Sequence, residues 1–288
     1  MQLVLLTFGD RLDNHLQAAF SIVSFLKADP RLEVRVVTDR PLMYRHFAGR
    51  VELLTIDDSV LREWRQPFDF FWRIKIRALQ EAAAAAPGRD MLYVDSDTIL
   101  VEGLDRLAAR LACGQAVMHL PEQRLSVGVS STERQMWRSL HGRRFAGVAV
   151  DADTTMWNAG VIGLPGARAA ATLALALQLC DELCATDARR RLLEQLAFSM
   201  ALQAQGPLVD ARREVLHYWG NKPGWQQAIS YFWLQSRLQG HTLDHDIAAF
   251  DARQHVARPL ASRPSAWARW LLRRVAAQAP TRLEYFGE

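Results

Sequence analysis

The first hundred residues alternate short apolar runs with segments of helical period, and that alternation constrains the fold more than any other feature. Residues 2–7 predict a buried strand, ended by Gly9-Asp10. From Asn14 to Lys27 the apolar residues Leu16, Ala19, Phe20, Val23 and Leu26 recur at helical spacing, and Asp29-Pro30 closes the helix. Residues 32–38 and 51–56 predict two more strands. Residues 71–86 predict an Ala-rich helix closed by Pro87-Gly88, and residues 91–94 a fourth, apolar strand. Such alternation predicts an α/β sandwich around a mostly parallel sheet. Ligands of these sheets collect beyond the carboxyl ends of the strands, which singles out Thr7, Thr38-Asp39 and Asp95.

The later chain is less regular. A helix over 104–113 and a strand over 116–120 are followed by residues 121–155, which have no clear period and read as a long binding loop. Within that loop Arg143-Arg144 would either shape an acceptor site or sit on a variable surface insertion. A strand over 161–164 precedes helices over 167–185, 189–205, 229–240 and 265–277.

Composition removes several function classes. The chain has 288 residues and a formal charge of +4, but that charge is unevenly placed. Residues 253–288 hold seven arginines against Glu284 and Glu288, so residues 1–252 are near neutral. A protein-wide basic field for nucleic acid is excluded. Only three of the 35 basic residues are lysines, Lys27, Lys75 and Lys222. Arg dominance with abundant Ala points to a GC-rich, bacterial genome, and a retained Lys is worth following for its compact ammonium head. The richest apolar run, 169–177, falls short of the ~18 residues of a membrane span. The N-terminus has no basic region or cleavage site, and Cys113, Cys180 and Cys184 form no CxxC, with the latter two read as packing residues. The expectation is a cytoplasmic protein.

The strongest chemical signal is Tyr93-Val-Asp-Ser-Asp-Thr-Ile-Leu100, in which an apolar strand delivers Asp95 and Asp97 into one turn. Two such carboxylates at a strand tip can reach one hard cation, and burying them without a counter-charge is costly. Asp95-Ser-Asp97-Thr98 matches the first motif of haloacid-dehalogenase-like phosphatases, in which Asp95 would be the nucleophile. It also matches the metal-holding DxD of GT-A glycosyltransferases. A solvated turn is the third reading.

The rest of the chain resembles glycosyltransferase family 8. Trp72-Arg73-Ile74-Lys75 is similar to the element preceding that family's DxD, Asn158-Ala-Gly160-Val-Ile162 to its Asn-Ala-Gly-Val segment, and Glu194-Gln195 to its Asp-Gln pair. His217-Tyr-Trp-Gly220-Asn-Lys222-Pro223-Gly-Trp225 resembles its C-terminal His-x-x-Gly-x-x-Lys-Pro-Trp, with the lysine one position closer to the histidine and Gly224 inserted before the tryptophan. Thr7, Asn14 and Thr38-Asp39 also stand where the family's order places donor-site residues. The resemblance covers about residues 2–225. It implies a GT-A fold, Rossmann-like with a mostly parallel sheet, flanking helices and a helical tail. Residues 1–252 would be one catalytic domain, with a nucleotide half (1–100) and an acceptor and metal half (101–228), and 253–288 a basic tail.

The resemblance implies a divalent ion, Mn²⁺ or Mg²⁺, held by Asp95, Asp97 and His217, with one nitrogen among oxygens favouring Mn²⁺. Thr7, Asn14, Arg73, Lys75, Asp95, Ser96, Gly160, Gly220 and Lys222 are the expected donor-binding residues. Among them Gly220 would let backbone approach phosphate, Lys222 would supply a point charge reinforced by Arg73, and Pro223 and Trp225 would stiffen a lid. Asn158 would face the donor sugar, Gln195 would orient it, and Glu194 would be the carboxylate for a double displacement or a general base. The partners implied are a nucleotide-sugar, in particular a UDP-sugar, and a bacterial surface glycan or lipid-linked acceptor such as lipopolysaccharide, with retention at the anomeric carbon. A non-catalytic sugar-nucleotide-binding relative is the alternative of a different class.

Two further clusters stand outside this pattern. His241, Asp244, His245 and Asp246 have metal-ligand spacing but read as a solvated face. In 265–276, Trp267, Trp270, Leu271 and Val275 form an apolar stripe with Arg269 and Arg273 off it. That pattern suits either an anionic membrane surface or the protein's own core.

Overall fold

The computed structural model describes residues 1–257. The rest of the basic tail, including the helix expected over 265–277, lies outside the described residues.

Strand β1 (Gln2–Thr7) leads to helix α1 (Leu12–Ala28) and strand β2 (Glu33–Thr38). Strand β3 (Val51–Thr55), helix α2 (Asp58–Trp64) and helix α3 (Arg73–Ala85) follow. Helix α2 starts where the Asp57 carboxylate accepts the N–H groups of Ser59 and Val60. Next come β4 (Met91–Val94), β5 (Thr98–Leu100), α4 (Leu104–Ala112) and β6 (Ala116–Met118).

The segment expected to be one long loop is ordered instead. It contains β7 (Pro121–Arg124), α5 (Ser131–Leu140), β8 (Arg144–Phe145), β9 (Val148–Ala149) and β10 (Thr155–Trp157). Helix α5 is nucleated by a capping box between Ser130 and Glu133, a signal that a search for apolar period alone passes over. Arg144 lies on the small β8–β9 hairpin.

The chain continues through β11 (Val161–Leu164), α6 (Gly166–Cys184), α7 (Leu193–Gln205), β12 (Leu208–Asp210) and β13 (Val215–His217). It ends its described part with α8 (Lys222–Leu238), α9 (Leu243–Ala249) and α10 (Ala252–Ala257). Helix α8 starts at Lys222 and not near 229, because Pro223 sits in its first turn, where a missing N–H costs nothing.

Seven strands form the main sheet in the order β12-β6-β11-β4-β1-β2-β3. Strand β11 runs antiparallel to both of its neighbours, and the other pairings are parallel. Alternate residues of each strand enter different cores, as the two-residue period requires. Leu3, Leu5, Leu92 and Val94 meet α1, α4, α8 and α9 on one face. Val4, Met91, Tyr93 and Ile162 meet α3, α5, α6 and α7 on the other. Cys180 and Cys184 are buried packing residues of this second core. Full burial of each large side chain contributes about 1.5–3 kcal/mol.

Two strand pairs outside the main sheet aim side chains at its carboxyl edge. Strands β5 and β13 pair antiparallel with Thr98 opposite His217. Strand β5 is tied to α1, whose Ser24 Oγ accepts the Leu100 N–H at 2.9 Å and whose Ser21 hydroxyl lies 3.1 Å from that of Thr98. Strands β7 and β10 form a second antiparallel pair. Among the described residues no helix is long and apolar enough to cross a membrane.

Candidate active site

Two carboxylates leave β4 in succession. Asp95 prolongs the ladder with β11 through its N–H, which donates to the Gly160 carbonyl at 2.8 Å. Its side chain shares a strand face with Tyr93, whose hydroxyl donates to Asp95 Oδ1 at 2.6 Å. Helix α3 lies on the same face and carries Lys75 to Asp95 Oδ1 at 3.2 Å. From α7, Glu194 reaches the same ammonium at 3.0 Å. Lys75 is buried, its ammonium included. Burial works against its charge, but Asp95 and Glu194 outweigh it and hold the ammonium above the ordinary lysine range. Burial likewise raises the Glu194 carboxyl, with Lys75 opposing.

Asp97 is buried in the turn before β5. The pairing of β5 with β13 sets His217 beside it, Nε2 3.4 Å from Asp97 Oδ2. The first residue of α8, Lys222, places its ammonium 2.8 Å from that same oxygen. Burial disfavours the Asp97 carboxylate, but His217 and Lys222 overcome it and keep the acid far below its usual range. One ligand atom each from Asp95, Asp97 and His217 lie within 4.8 Å of one another. Two hard oxygens and one imidazole nitrogen at that spacing fit a divalent cation.

A second layer fixes these groups. Asn158 Oδ1 accepts from His217 Nδ1 at 2.9 Å and from the Gly160 N–H at 3.0 Å. Gly160 has to be glycine here, since a Cβ would clash with the edge of the His217 imidazole. His119 packs edge-on to His217 with ring centroids 5.3 Å apart. Burial, then the neighbouring His217, pushes His119 down to about 4. Glu122 accepts from Asn158 Nδ2 at 3.0 Å and from Gln195 Nε2 at 2.9 Å.

The expected residues do not all meet here. Asp95, Asp97, Asn158, Gly160, Glu194, Gln195, His217, Lys75 and Lys222 form one network, with Ser96 in the turn between the two aspartates. Lys75 is a buried counter-ion of two carboxylates. Arg73 points elsewhere: its guanidinium forms a fork on Asp181 at 2.7 and 2.9 Å and donates to the Trp64 carbonyl. Thr7 is buried at the end of β1 with its hydroxyl 2.6 Å from that of Tyr44. Asn14 is half-buried in the first turn of α1, which opens at Leu12. Asp39 joins the β1 and β2 ends by accepting the Gly9 N–H at 3.0 Å. Gly220 lies in a short turn with open space around it, and Trp225 is buried, stacked on Tyr218 at 4.7 Å.

In the 241–246 cluster Asp244 and His245 are exposed as expected, but Asp246 is not. Asp246 is buried and accepts from His46 Nε2 at 2.7 Å and Ser236 Oγ at 2.8 Å. His241 and His245 pack ring against ring at its side. The cluster joins α8, α9 and the 41–47 turn.

Sequence reading missed Glu122, Tyr93 as an Asp95 donor, and His119. Pro121-Glu122-Gln123-Arg124 carries no apolar alternation, so only its pairing with β10 brings Glu122 to Asn158. The i,i+2 relation of Tyr93 and Asp95 was the available signal for the tyrosine.

The fold is that of GT-A glycosyltransferases. An active-site mutant of LgtC aligns with a TM-score of 0.50 at 16% identity, over 93% of this chain and 99% of that one. The galactosyltransferase LgtC in complex with donor and acceptor sugar analogs gives 0.47 at 14% identity over 93% and 99%. Mouse xyloside xylosyltransferase 1 gives 0.44 at 12% identity over 73% and 84%. No protein-family model and no curated relative matches the sequence.

Replacing Lys75 with Met should leave the buried Glu194 and the half-buried Asp95 without their cation and cost about 3–5 kcal/mol of stability. Adding Glu194→Gln should recover part of that loss. Urea unfolding of both variants checks it, and a Lys75→Met protein as stable as wild type would rule out the buried ion pair.

Proposed function

We propose that this chain is a metal-dependent glycosyltransferase that moves a sugar from a nucleotide-sugar, specifically a UDP-sugar, to a hydroxyl of a bacterial glycan or glycolipid such as lipopolysaccharide. The observation that supports this most is the convergence of Asp95, Asp97 and His217 at the carboxyl end of β4 in a GT-A fold.

Asp95, Asp97 and His217 would hold the Mn²⁺ or Mg²⁺, which supplies Lewis-acid neutralisation of the leaving diphosphate. The surrounding residues supply position and charge. The Lys222 ammonium is half-exposed at the cluster's rim, placed to pair with a phosphate oxygen. The open space at Gly220 admits phosphate near the backbone. Gln195 offers its amide to the sugar, and Asn158 has one N–H left to offer beyond its bonds to Glu122, Gly160 and His217. Glu194 is buried on Lys75, so its role is to hold Asp95 through that ammonium. It presents no open face to a sugar. Retention then proceeds by front-face attack, with the departing diphosphate accepting the acceptor's proton.

Residues 1–252 form the catalytic domain in this reading. The tail from 253 holds the protein on an anionic cytoplasmic membrane surface through its arginines and the Trp267–Trp270 stripe. Liposome flotation should carry more of the full chain than of a 1–252 protein into the top fraction, and equal partitioning would refute the membrane role.

Transfer and hydrolysis of a UDP-sugar panel with Mn²⁺ test the chemistry. Asp97→Asn should lose about a hundredfold or more in turnover, and the product should keep the donor's α linkage by NMR. An Asp97→Asn protein with wild-type turnover would overturn the metal site, and a β-linked product the retaining route.

A further inference from the structure

We infer that Glu122 is a positioning residue that orients two amides of the site and, through one of them, selects which nitrogen of His217 is free to bind metal. The consequence for catalysis rests on the transferase reading above, but the orientation itself does not.

The chemistry starts from what a carboxylate can do. It accepts hydrogen bonds and cannot donate them. Glu122 Oε1 lies 3.0 Å from Asn158 Nδ2, and Oε2 lies 2.9 Å from Gln195 Nε2. Both amides therefore present their NH₂ groups to Glu122, which resolves an orientation that amides alone leave open. Strand pairing enforces the approach: β7 and β10 run antiparallel with Gln123 opposite Met156, which brings Glu122 to the residue that follows β10.

With its NH₂ turned to Glu122, Asn158 turns Oδ1 the other way. That oxygen accepts the Gly160 N–H at 3.0 Å and faces His217 Nδ1 at 2.9 Å. Both ring nitrogens face an acceptor, but Asn158 Oδ1 is at hydrogen-bond distance from Nδ1 while Asp97 Oδ2 is farther from Nε2 and already paired with Lys222. In the neutral ring the closer contact therefore holds the proton on Nδ1 and leaves the lone pair on Nε2. Nε2 is the nitrogen 3.4 Å from Asp97 Oδ2, inside the ligand cluster. Gly160 leaves the space for the ring, and His119 packs edge-on to it. The chain of control runs from Glu122 to Asn158 to His217, each link a hydrogen bond of 2.9–3.0 Å. Metal-binding histidines need a partner of this kind on the other nitrogen. The same carboxylate leaves Gln195 Oε1 as that amide's free acceptor, suited to a hydroxyl donor.

The test reads the histidine directly. Long-range ¹H–¹⁵N correlation spectra of the metal-free full chain are recorded at about pH 8.5, above the ordinary imidazole range, and His217 is assigned with a His217→Asn variant. Wild type should show the Nδ1–H tautomer. Glu122→Leu should give a mixture of tautomers and raise the Mn²⁺ dissociation constant, read by electron paramagnetic resonance without donor, about tenfold. Glu122→Gln, which keeps one acceptor oxygen, should fall between. Glu122 is exposed, so truncation opens no core. If Glu122→Leu fails to fold, Glu122→Gln carries the same two readouts. An Nε2–H tautomer in wild type, or Glu122 variants with unchanged tautomer and Mn²⁺ affinity, would overturn the assignment. Because neither readout uses a sugar donor, a protein that behaves as described yet transfers no sugar would sink the transferase and leave the role of Glu122 standing.

Discussion

The gathering of three carboxylates at one end of one strand, Asp97 and Glu194 buried and Asp95 half-buried, is the constraint on which the rest of this structure depends. Asp95 and Asp97 follow β4, and Glu194 approaches from α7. Facing them are two ammonium groups, Lys75 on Asp95 and Glu194, and Lys222 on Asp97. Ionised carboxylates are tolerated in such a place only when paired. Three negative charges against two positive leave one net negative charge, shared by Asp95 and Glu194 around Lys75, and that charge is what makes the cluster attractive to a further cation.

Seen this way, the scarcity of lysine acquires a structural meaning. Each of the three lysines has a specific anion or carbonyl to meet. Lys75 and Lys222 meet the two aspartates, and Lys27 donates to the Ala248 carbonyl near the end of α9 at 2.6 Å. A compact ammonium fits between two carboxylates on a buried helix face, where a planar guanidinium would need a wider fork of acceptors. Arg73, two residues before Lys75, finds such a fork at Asp181 on α6 and braces α3 against it.

Much of this was legible in the chain itself, and the reason is period. The strands from β1 to β4 and the helices between them carry clear two-residue or helical patterns, and DxD at the tip of β4 marked the site. What escaped was carried by polar pairing. Strand β7 has no apolar face, and α5 is announced by a cap and by only a short stripe, Met136, Trp137 and Leu140. Thus the 121–155 segment read as a loop, and Glu122 was lost with it. Lys75 and Arg73 illustrate a different limit. A motif named both as donor-site residues, but helix α3 turns one toward Asp95 and the other toward α6, and only the packing of α3 shows which. Asp246 escaped because an acid flanked by histidines looks solvated until the 41–47 turn and α8 close over it.

Calorimetric titration of UDP into the full chain, with Mn²⁺ and again with the metal chelated, tests the central claim most directly. If Asp95, Asp97 and His217 form a cation site that receives a nucleoside diphosphate, UDP should bind in the presence of Mn²⁺ and lose at least about tenfold in affinity when the metal is removed. Binding of equal strength with and without metal, or no binding under either condition, would contradict it.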